Sequence, residues 1–200
     1  MCGTEASLCE AGFRGRKPLN IKKKTKSSAG RETDRVQYED MRRQFAEFCT
    51  RGNANGCEQR YSKGIKDYDV VCALPGVQML GLRWQTPIAL VIGTDLVRCH
   101  DNRGVLREVG EFVIVIQKEP PTFRLHNITQ RIYTNHGLVH HPHINGDGVL
   151  CIQAGKMEVL TAIVDGDMPV ALPILLDALW MRAELGTPYI NLSCWPEARI

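Results

Sequence analysis

Residues 140–152 read His-His-Pro-His-Ile-Asn-Gly-Asp-Gly-Val-Leu-Cys-Ile and combine the residue types in this chain that are best suited to covalent chemistry. A histidine-proline turn is followed by a polar loop with two glycines, and then by Cys151 between two aliphatic residues. A cysteine at the end of such a loop can be reached by a bulky partner and can act as a nucleophile in its thiolate form. The segment therefore predicts a candidate cysteine nucleophile, with imidazoles close to the thiol.

Two other interpretations of the same segment stay open at this point. Free cysteine is among the most buried residue types, so a Leu-Cys-Ile triplet is also compatible with simple core packing. The nearby histidines and the cysteine are also all competent zinc ligands; this set is His136, His140, His141, His143 and Cys151. Recognised zinc spacings need paired ligands on both sides and are only half present, so we predict no metal site.

The order of landmarks in residues 140–152 resembles the active-site segment of the ubiquitin-conjugating enzymes. The pattern of that family is His-Pro-Asn, a short polar loop with glycine, and the catalytic cysteine between aliphatic residues. Here His143 stands where the family carries its Asn. The resemblance implies that Cys151 carries the C-terminus of a ubiquitin-like protein as a thioester, and that His143 stabilises the oxyanion or the loop. It also implies that four residues shape the turn and loop: His141, Pro142, Asn145 and Asp147.

The resemblance extends to neighbouring segments. Residues 119–125, with their paired prolines, resemble the stretch after the third strand of the family, and residues 129–133 resemble the run that leads to its His-Pro-Asn turn. It implies an α+β, UBC-like fold, in which an N-terminal helix, a four-stranded antiparallel meander, an irregular active-site segment and a C-terminal helix follow one another. Residues 134–140 are an insertion, and 156–167 form an unfamiliar connection. The extended tail and shortened core resemble prokaryotic members of the family, some of which serve in antiphage defence.

The same resemblance implies a set of partners and no cofactor of the chain's own. ATP would be consumed by the activating enzyme that loads Cys151, so the expected partners are that enzyme, a ubiquitin-like modifier, and an acceptor protein or other nucleophile. Whether the acceptor is a lysine, a hydroxyl or a lipid amine stays open. Asp165 and Asp167 are candidates to receive a proton from an incoming amine, although helix capping explains Asp167 equally well. The alternative functions are a catalytically inactive binding module of the same fold and a small His/Cys zinc-binding protein.

Residue patterns outside the motif predict the elements that must position it. A helix should begin near Thr33 or Asp34, bury the stripe of Met41, Phe45 and Phe48, and end at Gly52 and residues 53–56. A second helix should follow an Asp167 cap, with Pro169 in its first turn and a closing glycine at position 186. Its buried face would consist of Leu172, Leu175, Leu176 and Leu179.

Four runs of residues predict strands: 69–74, 87–96, 111–117 and 123–128. The Asp-Asn-Arg-Gly cluster at 101–104 predicts a hairpin turn between two of these strands, and short connections favour an antiparallel meander. We expect the double proline at 120–121 to break the sheet before the last strand.

Composition limits the remaining possibilities. The 200 residues are 44% hydrophobic, enough for one cored domain, and the net charge of +3 is too small to imply nucleic acid. Residues 1–32 are rich in Lys, Arg, Gly and Ser, and predict a flexible basic arm before a UBC-like domain over 33–200. A solvated tail, a docking arm for an acidic partner and a localisation signal all fit it. Eight scattered cysteines favour free thiols, and the lack of an apolar span or signal segment predicts a cytoplasmic protein with no membrane partner.

Overall fold

The computed structural model describes residues 19–20, 28–52, 57–135, 137–151, 155–180 and 189–199, with side chains from Asp34 onward in these ranges. The helices in this part of the chain are α1 Ser28–Thr50, α2 Cys57–Ala73, α3 Lys156–Asp165 and α4 Met168–Trp180, with a 3-10 turn at Leu192–Cys194. The strands are β1 Leu19–Asn20, β2 Val77–Arg83, β3 Ala89–Thr94, β4 Val97–His100, β5 Leu106–Gly110, β6 Phe112–Lys118, β7 Pro121–Asn127, β8 Ile132–Thr134, β9 Gly137–His141 and β10 Ile144–Asn145. The α+β class predicted from the sequence is confirmed.

The main sheet has the strand order β1-β2-β3-β6-β7, and every neighbouring pair is antiparallel. β2, β3, β6 and β7 form a four-stranded meander, and the hairpin of β4 and β5 is inserted between β3 and β6 as a separate two-stranded sheet. Along β6, Phe112, Ile114 and Ile116 are fully buried and their neighbours are half-buried, which is the alternation of a strand with one core face. β8, β9 and β10 form a third sheet, and it carries the turn of the candidate site.

Before residue 90, one predicted strand was wrong and one strand of the structure was not predicted. Residues 69–74 belong mainly to the last turns of α2, where Tyr68 and Val71 share one buried helix face. Periodicity alone does not show whether a short apolar run is a strand or part of a buried helix. Here the run continues a helix that begins at Cys57. The first long strand is β2 instead, which we did not predict because Gly81 and Gln78 interrupt its apolar residues.

The predicted turn at residues 101–104 is confirmed, but it does not join two strands of the main sheet. It connects β4 to β5. Asp101 closes this turn, since its Oδ1 accepts hydrogen bonds from the backbone N–H groups of Arg103 and Val105, both at 2.9 Å. Its Oδ2 accepts a further bond from Arg107 Nε at 2.9 Å. These bonds hold the pKa of Asp101 below its usual value despite the opposing effect of desolvation.

The prediction that the double proline breaks the sheet was also wrong. Pro120 lies in the tight turn between β6 and β7, and Pro121 is the first residue of β7, where it pairs with Lys118 across the hairpin. Proline at the first position of a strand is tolerated, because its missing N–H need not face the ladder there. The two strands therefore stay paired from this turn to Phe112 and Asn127.

The helices cover the core. α1 begins at Ser28, earlier than predicted, and its predicted stripe is confirmed by Phe45 and Phe48, which are buried, and by Met41, which packs against the core. Residues 53–56, predicted to help end it, and most of the predicted arm (1–18 and 21–27) lie outside the described residues. α1 packs on α2 where Gly64 meets Ala46. A Cβ at Gly64 would lie 2.8 Å from the Ala46 Cα, so only glycine permits this approach.

The C-terminal part contains the predicted leucine helix and one helix that we did not predict. α4 begins at Met168 and buries its four leucines, as expected, whereas Gly186 lies outside the described residues. α3 lies in the stretch interpreted as an unfamiliar connection, residues 156–167, and it packs on β6 and β7. The tail resumes at Tyr189, and its Trp195 is buried. None of the helices in the described ranges is long and apolar enough to cross a membrane.

Candidate functional site

The turn at Pro142 and His143 joins β9 to β10 and forms the centre of the site. His141 and Ile144 are paired across this turn. The Nδ1 atom of His141 accepts a 3.2 Å hydrogen bond from the backbone N–H of His143. This bond requires an unprotonated Nδ1, so the imidazole of His141 is neutral with its proton on Nε2.

The histidines of the turn are interior residues. His141 is fully buried and His143 is 5% exposed, with their ring centroids 6.0 Å apart. Burial, followed by the nearby His143 ring, lowers the pKa of His141 to about 3. His141 also meets Phe112 edge-on, at 6.0 Å between ring centroids. His141 thus supports the turn as a neutral, buried ring.

The polar loop after the turn is organised by Asn145. Its Oδ1 accepts hydrogen bonds from the backbone N–H groups of Asp147 at 3.1 Å and Val149 at 2.9 Å. The backbone carbonyl of Asn145 accepts a bond from Gly148 N–H at 3.0 Å. An asparagine side chain that bonds the backbone two and four residues ahead stabilises a compact turn. Asp147 is exposed at the tip of this loop.

Gly148 binds the loop to the main sheet through a backbone hydrogen bond. Its carbonyl accepts a 3.0 Å hydrogen bond from Leu125 N–H in β7, and its φ of 73° lies in the left-handed region. A Cβ at this position would stand 2.7 Å from His126 Cε1. Both the backbone conformation and the close approach therefore favour glycine here.

Cys151 is exposed, while Leu150 directly before it is 3% exposed. The backbone N–H of Cys151 donates a 2.8 Å hydrogen bond to the carbonyl of His143, and Leu150 forms a β-bridge with Ile144. Leu150 thus supplies the core contact that simple packing would have assigned to the cysteine. The six cysteines whose side chains the structure describes are all free thiols, namely Cys49, Cys57, Cys72, Cys99, Cys151 and Cys194.

The turn is joined to the main sheet by Asn127, His126 and His140. Of these, only His140 was singled out from the sequence, as a possible zinc ligand. Asn127, at the end of β7, donates from Nδ2 to the carbonyls of Val109 at 2.7 Å and His140 at 3.1 Å. Its backbone N–H donates to His140 Nδ1 at 3.1 Å. Nε2 of the His140 ring lies 3.2 Å from the Gly146 carbonyl, and 3.4 Å from His126 Nδ1. Burial, then the neighbouring His126, lowers the pKa of His140 to about 4.

Tyr189 is a further member of the site that no sequence pattern indicated. Its backbone N–H donates a 2.7 Å hydrogen bond to the carbonyl of Pro142. Partial burial and, after it, the neighbouring side chain of Cys151 raise the pKa of Tyr189 above its usual value.

The structure gives the two acidic candidates different surroundings. The carboxylate of Asp167 lies 3.2 Å from Lys63 Nζ on α2, and its backbone carbonyl accepts the N–H of Ala171 in the first turn of α4 at 3.1 Å. The carbonyl of Asp165 accepts a bond from Arg60 at 3.4 Å. Asp167 therefore forms an ion pair with Lys63 and also lies directly before the first residue of α4.

The described residues contain no group of three or more His, Cys, Asp or Glu side chains arranged to hold a metal ion. His140, His141 and His143 are all buried at the turn. His136, the remaining histidine of the zinc interpretation, lies outside the described residues.

Comparisons with protein-family models, with curated proteins and with solved structures found no match for this chain. What the chain does is therefore inferred from its own residues and their geometry.

Proposed function

We propose that this chain is a ubiquitin-like-protein conjugating enzyme with a UBC-like fold. It carries the C-terminus of a modifier as a thioester on Cys151 and transfers it to an acceptor nucleophile. The observation that carries the proposal is the exposed thiol of Cys151, held by its backbone to the carbonyl of His143 in a histidine-proline turn. The order of a helix, an antiparallel meander, this turn and loop, and further helices supports it.

The chemistry needs an accessible sulfur on a rigid support. Thiol-thioester exchange begins with attack of the Cys151 thiolate on the thioester carbonyl of the loaded activating enzyme, and it ends with release of that enzyme's thiolate. A bulky protein partner can reach Cys151 because the residue is exposed, and the loop beneath it is fixed by Asn145 and Gly148. His143 would support the oxyanion or the loop in the position where the family carries Asn.

One observation favours the second candidate, a catalytically inactive binding module of the same fold. His143 replaces the asparagine of the family, and its ring is 5% exposed. An interior ring is suited to supporting the turn, which a module without transfer activity would also require.

The test is a non-reducing gel with intact-mass analysis of tagged protein, expressed with the activating enzyme and modifier of its own genome and supplied with ATP. Wild type, Cys151→Ala, Cys151→Ser and Cys194→Ser are compared, the last being a matched exposed cysteine. We expect a modifier-sized adduct in wild type and Cys194→Ser that dithiothreitol removes, none in Cys151→Ala, and a dithiothreitol-resistant adduct in Cys151→Ser. Failure of wild type to form any adduct would favour the binding module.

A further inference from the structure

Two backbone hydrogen bonds bring Tyr189 to the candidate nucleophile. The carbonyls of Pro142 and His143 follow one another in the turn; the first accepts the N–H of Tyr189 at 2.7 Å, and the second accepts the N–H of Cys151 at 2.8 Å. Segments separated by α3 and α4 are thereby fixed to one turn. This arrangement places Tyr189 beside Cys151, and the Cys151 side chain contributes, after burial, to the raised pKa of the Tyr189 hydroxyl.

The surroundings keep the Tyr189 hydroxyl protonated and accessible. Tyr189 is 49% exposed and Cys151 is exposed, so both residues lie at the surface, where an acyl group on the sulfur would also lie. Partial burial and the nearby thiol raise the pKa of Tyr189, which leaves the phenol as a hydrogen-bond donor at neutral pH. His141 and His143, by contrast, are interior rings.

We infer that Tyr189 is a second catalytic residue of this site, and that its hydroxyl donates a hydrogen bond to the acyl oxygen of the Cys151 thioester as negative charge develops there. The inference rests on the proposed acyl-transfer function. It adds an oxyanion donor from the C-terminal segment to the role at the oxyanion or the loop that the resemblance to conjugating enzymes implies for His143.

The step that Tyr189 serves is attack on the thioester. The lone pair of an amine nitrogen forms a bond to the acyl carbon, and the π electrons of the carbonyl move to its oxygen. The Tyr189 O–H hydrogen-bonds to this oxyanion and keeps its own proton. Collapse of the intermediate breaks the C–S bond, the electron pair leaves with the Cys151 sulfur, and the ammonium proton passes to solvent. One donor aimed at an oxyanion contributes on the order of 10²-fold or more in rate.

The test needs neither the modifier nor the activating enzyme. The full chain is treated with the benzyl thioester of a short peptide ending in Gly-Gly, which exchanges onto accessible cysteines and expels the benzyl thiolate. The acylated protein is then mixed with hydroxylamine, and the acyl group remaining on each cysteine is followed by peptide mass spectrometry. Wild type is compared with Tyr189→Phe and with Tyr133→Phe, a control at an exposed tyrosine in β8. Acyl groups on the exposed Cys57 and Cys194 serve as internal references.

We expect Tyr189→Phe to slow discharge from Cys151 at least tenfold, with discharge from Cys57 and Cys194 unchanged and Tyr133→Phe equal to wild type. An unchanged Cys151 rate in Tyr189→Phe would overturn the inference, as would equal slowing at all three cysteines or the same slowing in Tyr133→Phe. The conjugation gel with wild type decides the proposed function separately. A positive gel with an unchanged Tyr189→Phe rate would therefore overturn the role of Tyr189 alone.

Discussion

The backbone N–H of Cys151 donates a 2.8 Å hydrogen bond to the backbone carbonyl of His143. Together with the bridge between Ile144 and Leu150, this bond closes the polar loop at its base. Because only backbone atoms make the contact, the anchoring of the cysteine does not depend on the type of side chain at position 143. The contribution of the His143 side chain to transfer can therefore be measured separately from the placement of the thiol.

Substitution of His143 tests its proposed role at the oxyanion. We expect His143→Asn, which introduces the residue of the conjugating-enzyme pattern, to discharge the Cys151 thioester to free lysine about as fast as wild type. His143→Ala should be slower by on the order of 10- to 10³-fold, because a hydrogen-bond donor is lost. The measurement is single-turnover discharge of the loaded protein. Equal rates for His143→Ala and wild type would leave His143 with a structural role only.

Substitution of Asn127 tests the connection between the turn and the main sheet. In Asn127→Asp, an acceptor oxygen would face the carbonyls of Val109 and His140, to which Nδ2 now donates. Asn127 is 4% exposed, so the repulsion and the lost bonds should lower the free energy of unfolding by about 3 kcal/mol. Urea unfolding measures this change. Asn102→Asp, in the exposed turn between β4 and β5, is the control and should stay within about 0.5 kcal/mol of wild type.

Substitution of Asn145 tests the polar loop. Asn145→Ala removes the oxygen that accepts from Asp147 and Val149 N–H, and should cost about 1 to 2 kcal/mol in the free energy of unfolding. Asn145→Asp keeps an acceptor oxygen at the same place and should retain most of this stability. Asp147→Ala, at the exposed tip, should have little effect. If Asn145→Ala were as stable as wild type by chemical denaturation, the loop would be held by backbone bonds alone.

The buried His140 predicts a dependence of stability on pH. Burial and His126 lower the pKa of His140 to about 4 in the folded chain, whereas an unfolded histidine titrates near 6.5. Between these values the unfolded state binds the additional proton, so stability is complete above about pH 6.5 and falls as the pH approaches 4. A shift of this size corresponds to roughly 3 kcal/mol.

The variant that isolates this effect is His140→Asn, whose Oδ1 can replace Nδ1 as the acceptor for Asn127 N–H. Unfolding free energies measured from pH 7.5 to 4.5 should decline less steeply in His140→Asn than in wild type. The buried His141 and the half-buried His126, whose pKa values are also lowered, should leave a residual decline. His100→Asn, at an exposed position in β4, should follow the wild-type curve. Parallel curves for wild type and His140→Asn would refute the assignment.

Features that depend on near neighbours could be predicted from the sequence. The stripe of α1, the leucine face of α4 and the Asp101 turn all result from periodicity or from bonds within a few residues. The same is true of the Asn145 loop, in which the side chain reaches no farther than Val149. Prediction from local patterns was wrong where a short apolar run is compatible with both a strand and a buried helix. Residues 69–74, which mainly continue a helix, are the example.

The sequence alone therefore determined a cysteine after a histidine-proline turn and a polar loop, together with the α+β class. Only the tertiary structure decided which distant groups surround them. Asn127 meets His140 because β7 lies beside β9, and Tyr189 meets Cys151 because the tail hydrogen-bonds to the turn. Contacts between distant segments depend on strand order and on where a chain end is bound. Strand order and the place where a chain end is bound leave no periodic pattern in the sequence, because many distant partners are compatible with one local pattern.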